Sequence, residues 1–296
     1  MAARPHEVRL WAFAALAAAN LFWSGNWIAG RALRDAFDPL TLNYWRWLIA
    51  VLVLAPFALP GLRGKGALLR RHAGILLLLS LTGTVAFHSL VYLGLRTTSA
   101  VNAVLINSSL PLFIVLCSWV IERERASLRQ IAGMLVSLGG IALILSRGEP
   151  ARLAELELRA GDLWILLAMP VWGVYSVLLK RRPAGLGGLE FIFVIAAAGA
   201  LMMAPGVIFL KALTHLPSPT EALGVLYIGI FASVLAYICW NRGVAVVGAN
   251  AAGVTVHLLP AFGTVLAILF LGETFAAFHA VGIATILAGV LIATRK

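Results

Sequence analysis

The sequence predicts an all-α integral membrane protein with ten transmembrane helices arranged as two inverted five-helix repeats. Three observations carry this reading. Of 296 residues, 61% are hydrophobic and 12% charged, with a mean hydropathy of +0.97, a balance far from that of a water-soluble domain. Apolar runs of roughly 20 residues, long enough to cross about 30 Å of hydrocarbon, recur along the whole chain. The chain also aligns with itself at a spacing of 149 residues.

Taken in order, and bounded by charge, Pro or Gly, the first five runs are Val8 to Gly30, Leu40 to Leu59, Ala73 to Leu95, Ala100 to Ile121 and Leu128 to Ser146. The second five are Asp162 to Leu179, Leu189 to Leu210, Glu221 to Trp240, Ala249 to Leu271 and Ala277 to Ala293. The first follows Arg4 and Arg9 as a signal peptide would, but it is long for a leader's apolar region, and its place in the repeat makes it a retained span. The longest connection, Arg147 to Gly161, mixes Arg147, Arg152 and Arg159 with Glu149, Glu155 and Glu157. It reads as the hinge between halves, and no soluble domain fits in it.

Charge sets the expected orientation. A net charge of +11 could suggest nucleic acid, but the basic residues fall in short clusters between apolar runs, as topology requires. With the N-terminus inside, the inner segments hold fifteen Lys and Arg and the outer loops seven, Arg46 alone lying well inside a span. Both termini are therefore expected to be cytoplasmic, in a plasma membrane of the bacterial inner-membrane kind. Cys117 and Cys239 lie in apolar runs and read as small core residues.

In the self-alignment, Trp23 meets Trp172, Ala55-Pro56 meets Ala204-Pro205, Gly94 meets Gly243 and Leu110-Pro111 meets Leu259-Pro260. The register continues without a gap through Phe113 with Phe262, Glu124 with Glu273, Gly133 with Gly282 and Gly140 with Gly289. Residues 1–148 and 149–296 are thus the two expected domains. Five spans is an odd number, so the second copy enters the membrane from the opposite side, and exchanging the conformations of the halves carries a central site across.

These residues resemble the EamA-type drug/metabolite transporter superfamily: a fourth span running into Leu110-Pro111-Leu112-Phe113, then Glu124, Gly133 and Gly140. The second half repeats it as Leu259-Pro260-Ala261-Phe262, Gly272-Glu273-Thr274, Gly282 and Gly289. The resemblance covers the whole chain and implies a ten-span exporter, similar to those of aromatic or broad-range amino acids. Small multidrug transporters of the superfamily bind cations on a Glu in the first span; here that span offers Asn20, Ser24 and Asn26, which makes lipophilic cations poor candidates.

An unpaired polar group in the membrane interior is costly, so intramembrane polar residues are the default site candidates. Asn20 and Trp23, with Trp27, lie on one face of the first span, and Trp172 and Tyr175 are their counterparts in the sixth. His88 and Tyr92 are one turn apart; the repeat partner of His88 is Tyr237, itself one turn before Asn241. His257 stands three residues before Pro260, at the position equivalent to Ser108, where a proline can open backbone carbonyls toward a cavity. Asn107 completes the expected binding set. Each has a plainer alternative in helix packing, and for Asn102 and Asn250 tying helices ranks ahead of binding. For Arg46, snorkelling or structural pairing ranks ahead of attracting a carboxylate. Trp11, Trp45, Trp47, Trp119 and Trp164, near span ends, read as interfacial belts; Trp27 and Trp240 stay open between belt and cavity. The glycines read as close-packing positions.

No Asp or Glu lies at mid-membrane depth and no nucleotide-binding loop is present. The expectation is therefore facilitated diffusion or exchange by alternating access, without cofactor, metal, enzyme activity or nucleic acid partner, in a functional monomer. Proton coupling through His88 or His257 is the minority mechanism. A lipid-modifying enzyme lacks a convergent acid, base or metal cluster. A passive channel calls for a continuous polar stripe.

Overall fold

Inside a bilayer the backbone has no water to bond, so each spanning segment must close its own hydrogen bonds. The computed structural model describes residues 5–154, 156–210, 217–271 and 276–295, and these fold into ten membrane-length helical segments. They are α1 (Pro5–Ala32), α2 (Pro39–Leu62), α3 (Ala73–Leu95), α4 (Ala100–Asn107 and Leu110–Glu122) and α5 (Leu128–Leu145) in one half. In the other half are α6 (Ala160–Leu178), α7 (Gly188–Phe209), α8 (Pro219–Val247), α9 (Ala249–Val254, Thr255–His257 and Leu258–Leu271) and α10 (Ala277–Thr294). Nine of them are long and apolar enough to span by composition alone; α1 has the length, its apolar character diluted by Asn20, Ser24 and Asn26. Short helices Gly66–Arg71 and Ala151–Ala154 lie in the connections. Glu273, with Gly272 and Thr274, lies outside the described residues.

Local chemistry starts the helices. Asp38 caps α2, accepting from Leu40 N at 3.0 Å with Pro39 at the first position, and Ser99 caps α4. Ser127 with Gln130 and Ser218 with Glu221 form capping boxes at α5 and α8. The eighth span was expected to end near Trp240; α8 instead runs to Val247 and stops at Gly248, whose φ of 83° only glycine adopts cheaply. Asn241 and Arg242 look like a span end by polarity, yet Asn241 is buried.

Helices α5 and α10, repeat mates, run antiparallel in close contact. A Cβ on Gly140 would lie 2.7 Å from Gly282 O, and one on Gly282 would lie 2.9 Å from Gly140 O. Gly133 faces Gly289 and Ala293, and Gly289 faces Gly133 and Ser137 in return. Under the 149-residue register these contacts map onto themselves, as a two-fold axis between inverted halves requires. Ser137 Oγ donates to Ile286 O at 3.3 Å, which is a residue bonded to its own repeat mate and therefore on that axis.

Two breaks recur symmetrically. α3 is π-helical over Leu81–Ala86 and α8 over Ile228–Leu235, segments that overlap in the repeat register. Ahead of Pro111 and Pro260, α4 is interrupted at Ser108–Ser109 and α9 tightens to a 3-10 turn at Thr255–His257.

Candidate functional site

Carbonyl groups in and beside the breaks accept hydrogen bonds from side chains of other spans. Gly83 O and Ala232 O are repeat mates in the two π-helical segments. Tyr237 Oη donates to Gly83 O; Trp23 Nε1 and Arg46 Nη2 donate to Ala232 O at 3.0 and 3.2 Å. Asn43 Nδ2 and Trp47 Nε1 donate to Thr84 O at 2.9 and 3.0 Å. Ser24 Oγ reaches Leu259 O at 2.9 Å, beside Pro260.

Aromatic residues assemble on the pseudo-axis. Trp23 and Trp172, repeat mates, meet edge to face with ring centroids 5.1 Å apart, a favoured geometry. His88 and Tyr237, also mates, lie 6.2 Å apart. Tyr175 packs 5.0 Å from Trp172. Trp240, fully buried, joins at 5.3 Å from Trp23.

One hydrogen bond recurs with its partners exchanged. Tyr92 Oη donates to Asn26 Oδ1 at 2.9 Å in the first half, and Tyr175 Oη to Asn241 Oδ1 at 3.0 Å in the second. In the register, Asn26 corresponds to Tyr175 and Tyr92 to Asn241. Asn26 is the participant that the expected set omits; the register carried the signal, because both members of one pair are polar and fall on the other.

Between the halves lies a small pocket of about 30 Å³, lined by Trp23, Asn26, Trp27, His88, Asn107 and Trp172 among others. Three buried atoms on this wall, His88 Nδ1, Asn107 Nδ2 and Trp172 Nε1, have no hydrogen-bond partner among the described residues. Such orphans are rare in native interiors and call for an explanation. Toward the end of the bundle that carries Arg9 and Arg295, an open vestibule of about 470 Å³ is lined by Ser118, Ser176, Lys180 and Asn241, with Glu124 at its mouth. Ser176 Oγ and Asn241 Nδ2, on its wall, are likewise orphaned. Lys180 bridges Glu122 and Glu124 at 2.7 and 2.9 Å.

At the opposite end a polar latch ties the two halves together. Asp162, at the start of α6, accepts from Thr98 Oγ1, from Asn102 Nδ2 at 2.8 Å and from Arg159 N at 2.7 Å. Asn102 Nδ2 also reaches Glu157 O at 2.8 Å, and Arg31 donates to Thr98 O at 3.2 Å.

The structure thus gathers Trp23, His88, Asn107 and Trp172 at the pocket, with Tyr92, Tyr175, Tyr237 and Asn241 in contact with that group or on the vestibule wall. Asn20 and His257 are placed elsewhere. Asn20 Nδ2 bonds Leu16 O and Thr255 Oγ1 between α1 and α9, and His257 Nε2 bonds Ser108 O, its own repeat mate, at 3.0 Å. Trp47 does not sit in an interfacial belt: it is fully buried against Tyr237, centroids 4.9 Å apart, where its indole N–H shares Thr84 O with Asn43. Trp11, 74% exposed, faces outward. Among the described residues no cluster of His, Cys, Asp or Glu has metal-binding geometry.

Membrane-length helices in two repeats around a small central pocket define a multi-pass membrane transporter. The profile of the EamA-like transporter family matches residues 9–146 and 159–295. The chain belongs to that family. It is 29% identical to an uncharacterized transporter of Archaeoglobus fulgidus over 95% of this chain and 96% of that one. It is 25% identical to an uncharacterized transporter of Bacillus subtilis, covering 87% and 85%. It is also 29% identical, covering 93% and 90%, to a protein of Streptantibioticus cattleyicolor named "Probable terminal-alkyne amino-acid exporter". A solved crystal structure superposes with a TM-score of 0.77 at 25% identity, covering 98% of this chain and 96% of that chain.

Proposed function

We propose that this transporter is a carrier of small organic metabolites, amino acids foremost, working by alternating access as a facilitator or exchanger. One observation carries the reading: a small pocket on the pseudo-axis, walled by aromatic residues and by the side chains of three orphaned polar atoms, with a polar latch between the halves at one end of the bundle and a larger vestibule toward the other. A solute that supplied the missing partners would repay the cost of burying those atoms. The present pocket admits little more than one water, so binding requires the halves to part, which links occupancy to conformational exchange. The name of the Streptantibioticus relative supports amino acids as the class. The excess of Lys and Arg at the Arg9 and Arg295 end supports a cytoplasmic location for it, in a bacterial inner membrane, and two complete repeats suffice for a working monomer.

The test is uptake of labelled amino acids into proteoliposomes, with and without unlabelled solute preloaded inside. Saturable uptake stimulated by counter-solute is expected. Removing one aromatic wall by Trp172→Ala should lower it at least tenfold, the scale of one lost aromatic anchor of about 2 kcal/mol. Uptake that is linear in concentration and indifferent to preloading would speak for a channel.

A further inference from the structure

Two unpartnered N–H donors belong to residues lining the central pocket, a buried cation lies two hydrogen bonds behind its wall, and among the described residues no anion balances them. Arg46, in α2, is 0% exposed. Its Nε donates to Ser233 Oγ at 2.8 Å, its Nη1 to Tyr92 Oη at 2.9 Å and its Nη2 to Ala232 O at 3.2 Å. Its guanidinium carbon stands 5.4 Å from the centre of the Trp47 ring and 5.9 Å from that of Tyr92. Every one of these partners is neutral, and among the described residues no carboxylate forms an ion pair with Arg46. The buried or half-buried acids among the described residues lie at the span ends with their own partners: Asp162 in the latch, Glu122 on Lys180 and Arg181, Glu190 on Lys65, Asp38 near Arg96 and Glu221 in the capping box of α8.

The guanidinium is connected to the pocket. Tyr92, which accepts from Arg46, donates its own hydroxyl hydrogen bond to Asn26 Oδ1 at 2.9 Å, and Asn26 lines the cavity. On the same wall, Asn107 Nδ2 and Trp172 Nε1 are N–H donors without acceptors among the described residues. A buried cation is costly unless an opposite charge offsets it, and orphaned donors ask for an acceptor. A carboxylate answers both demands. An ammonium group adds a second positive charge near Arg46 and gives Asn107 Nδ2 and Trp172 Nε1 no acceptor.

Resting on the carrier reading of this pocket, we propose that the carboxylate is the essential recognition element of the solute, and that an α-amino group is dispensable. The site then takes small monocarboxylates. Asn107 and Trp172 are their direct donors, Arg46 is the specificity-determining cation behind them, and Trp23 and Trp27 cover the apolar part.

The experiment compares three solutes in proteoliposomes of the full chain: phenylalanine, 3-phenylpropionate, which keeps the carboxylate and lacks the amine, and phenethylamine, which keeps the amine and lacks the carboxylate. As competitors of labelled phenylalanine counterflow, 3-phenylpropionate should inhibit as phenylalanine does, and phenethylamine should not. Arg46→Gln should raise the half-inhibitory concentration of 3-phenylpropionate by roughly tenfold, as removal of a unit charge two hydrogen bonds away implies at an effective dielectric of about 20. Arg46→Lys, which keeps the charge and loses the planar fork, should lose less. Inhibition by phenethylamine equal to that by 3-phenylpropionate, or an unchanged preference in Arg46→Gln, overturns the proposal. Should Arg46→Gln fail to fold, as judged by gel filtration in detergent, the competitor series on the unaltered protein decides alone. Should phenylalanine show no counterflow, the amino-acid reading fails separately. Labelled 3-phenylpropionate is then the substrate, and saturable uptake above protein-free liposomes supports the carboxylate proposal, whereas its absence overturns it.

Discussion

Tyr92 holds three groups together: it accepts from Arg46, donates to Asn26 and packs beside His88, with ring centroids 6.4 Å apart. Removing its hydroxyl strands a guanidinium N–H and an amide oxygen in the interior. We expect Tyr92→Phe to destabilise the protein by about 1–3 kcal/mol, read as a lower thermal midpoint in detergent. Tyr175→Phe strands only Asn241 Oδ1, beside the open vestibule, and should cost less by the same measurement. At this scale the sequence was informative where the register paired unusual residues, as with Trp23 and Trp172 or His88 and Tyr237. It singled out Arg46 as the one basic residue well inside a span but could not name its acceptors, which come from α3 and α8, 46, 186 and 187 residues away, and it read Trp47 as a belt residue because the carbonyl that its indole meets, Thr84 O, belongs to another helix.

Helices α5 and α10 show how close packing becomes a constraint on single positions. Gly139 has open space where a Cβ would stand, whereas Gly140 has Gly282 O at 2.7 Å and Ile286 N at 2.9 Å. Gly139→Ala should therefore be neutral or slightly stabilising through helix propensity, and Gly140→Ile should push the two helices apart and abolish folded protein. Yield of monodisperse protein after gel filtration distinguishes the two. Span existence and order were legible because a run of apolar residues long enough to cross a bilayer has few alternatives. The π-helical segments of α3 and α8 were not, since inserting one residue into a turn leaves no mark on a pattern that is apolar on all sides. Clustered Ser80, Thr82 and Thr84, each hydroxyl donating to a carbonyl four residues back or across to α7, are the nearest thing to a signal.

In the whole molecule, the halves are equivalent in fold and unequal at their ends. The latch residues Thr98, Asn102 and Asp162 correspond, in the repeat register, to Val247, Ala251 and Phe13 at the Arg9 and Arg295 end, so one end is tied by hydrogen bonds where the end that carries the larger vestibule has apolar counterparts. Asp162→Ala should loosen the latched end. With Cys117 and Cys239 replaced by serine and Asn107→Cys as the reporter, a membrane-impermeant thiol reagent applied from the latch side should label it faster once Asp162 is removed. Unchanged labelling would assign the closure to other contacts. The fold and its inversion could be read from span count and register; the inequality of the ends could not, because polar loop residues reveal their partners only when the spans are assembled. That inequality has a thermal consequence. Sealing the apolar end removes hydrocarbon surface from water, a step with a large negative heat-capacity change that weakens on cooling, while the latch is made of hydrogen bonds that follow no such law. The balance between the two openings should therefore drift with temperature, the conformer described above gaining as the protein is chilled, and a plot of the logarithm of turnover against reciprocal temperature should be curved.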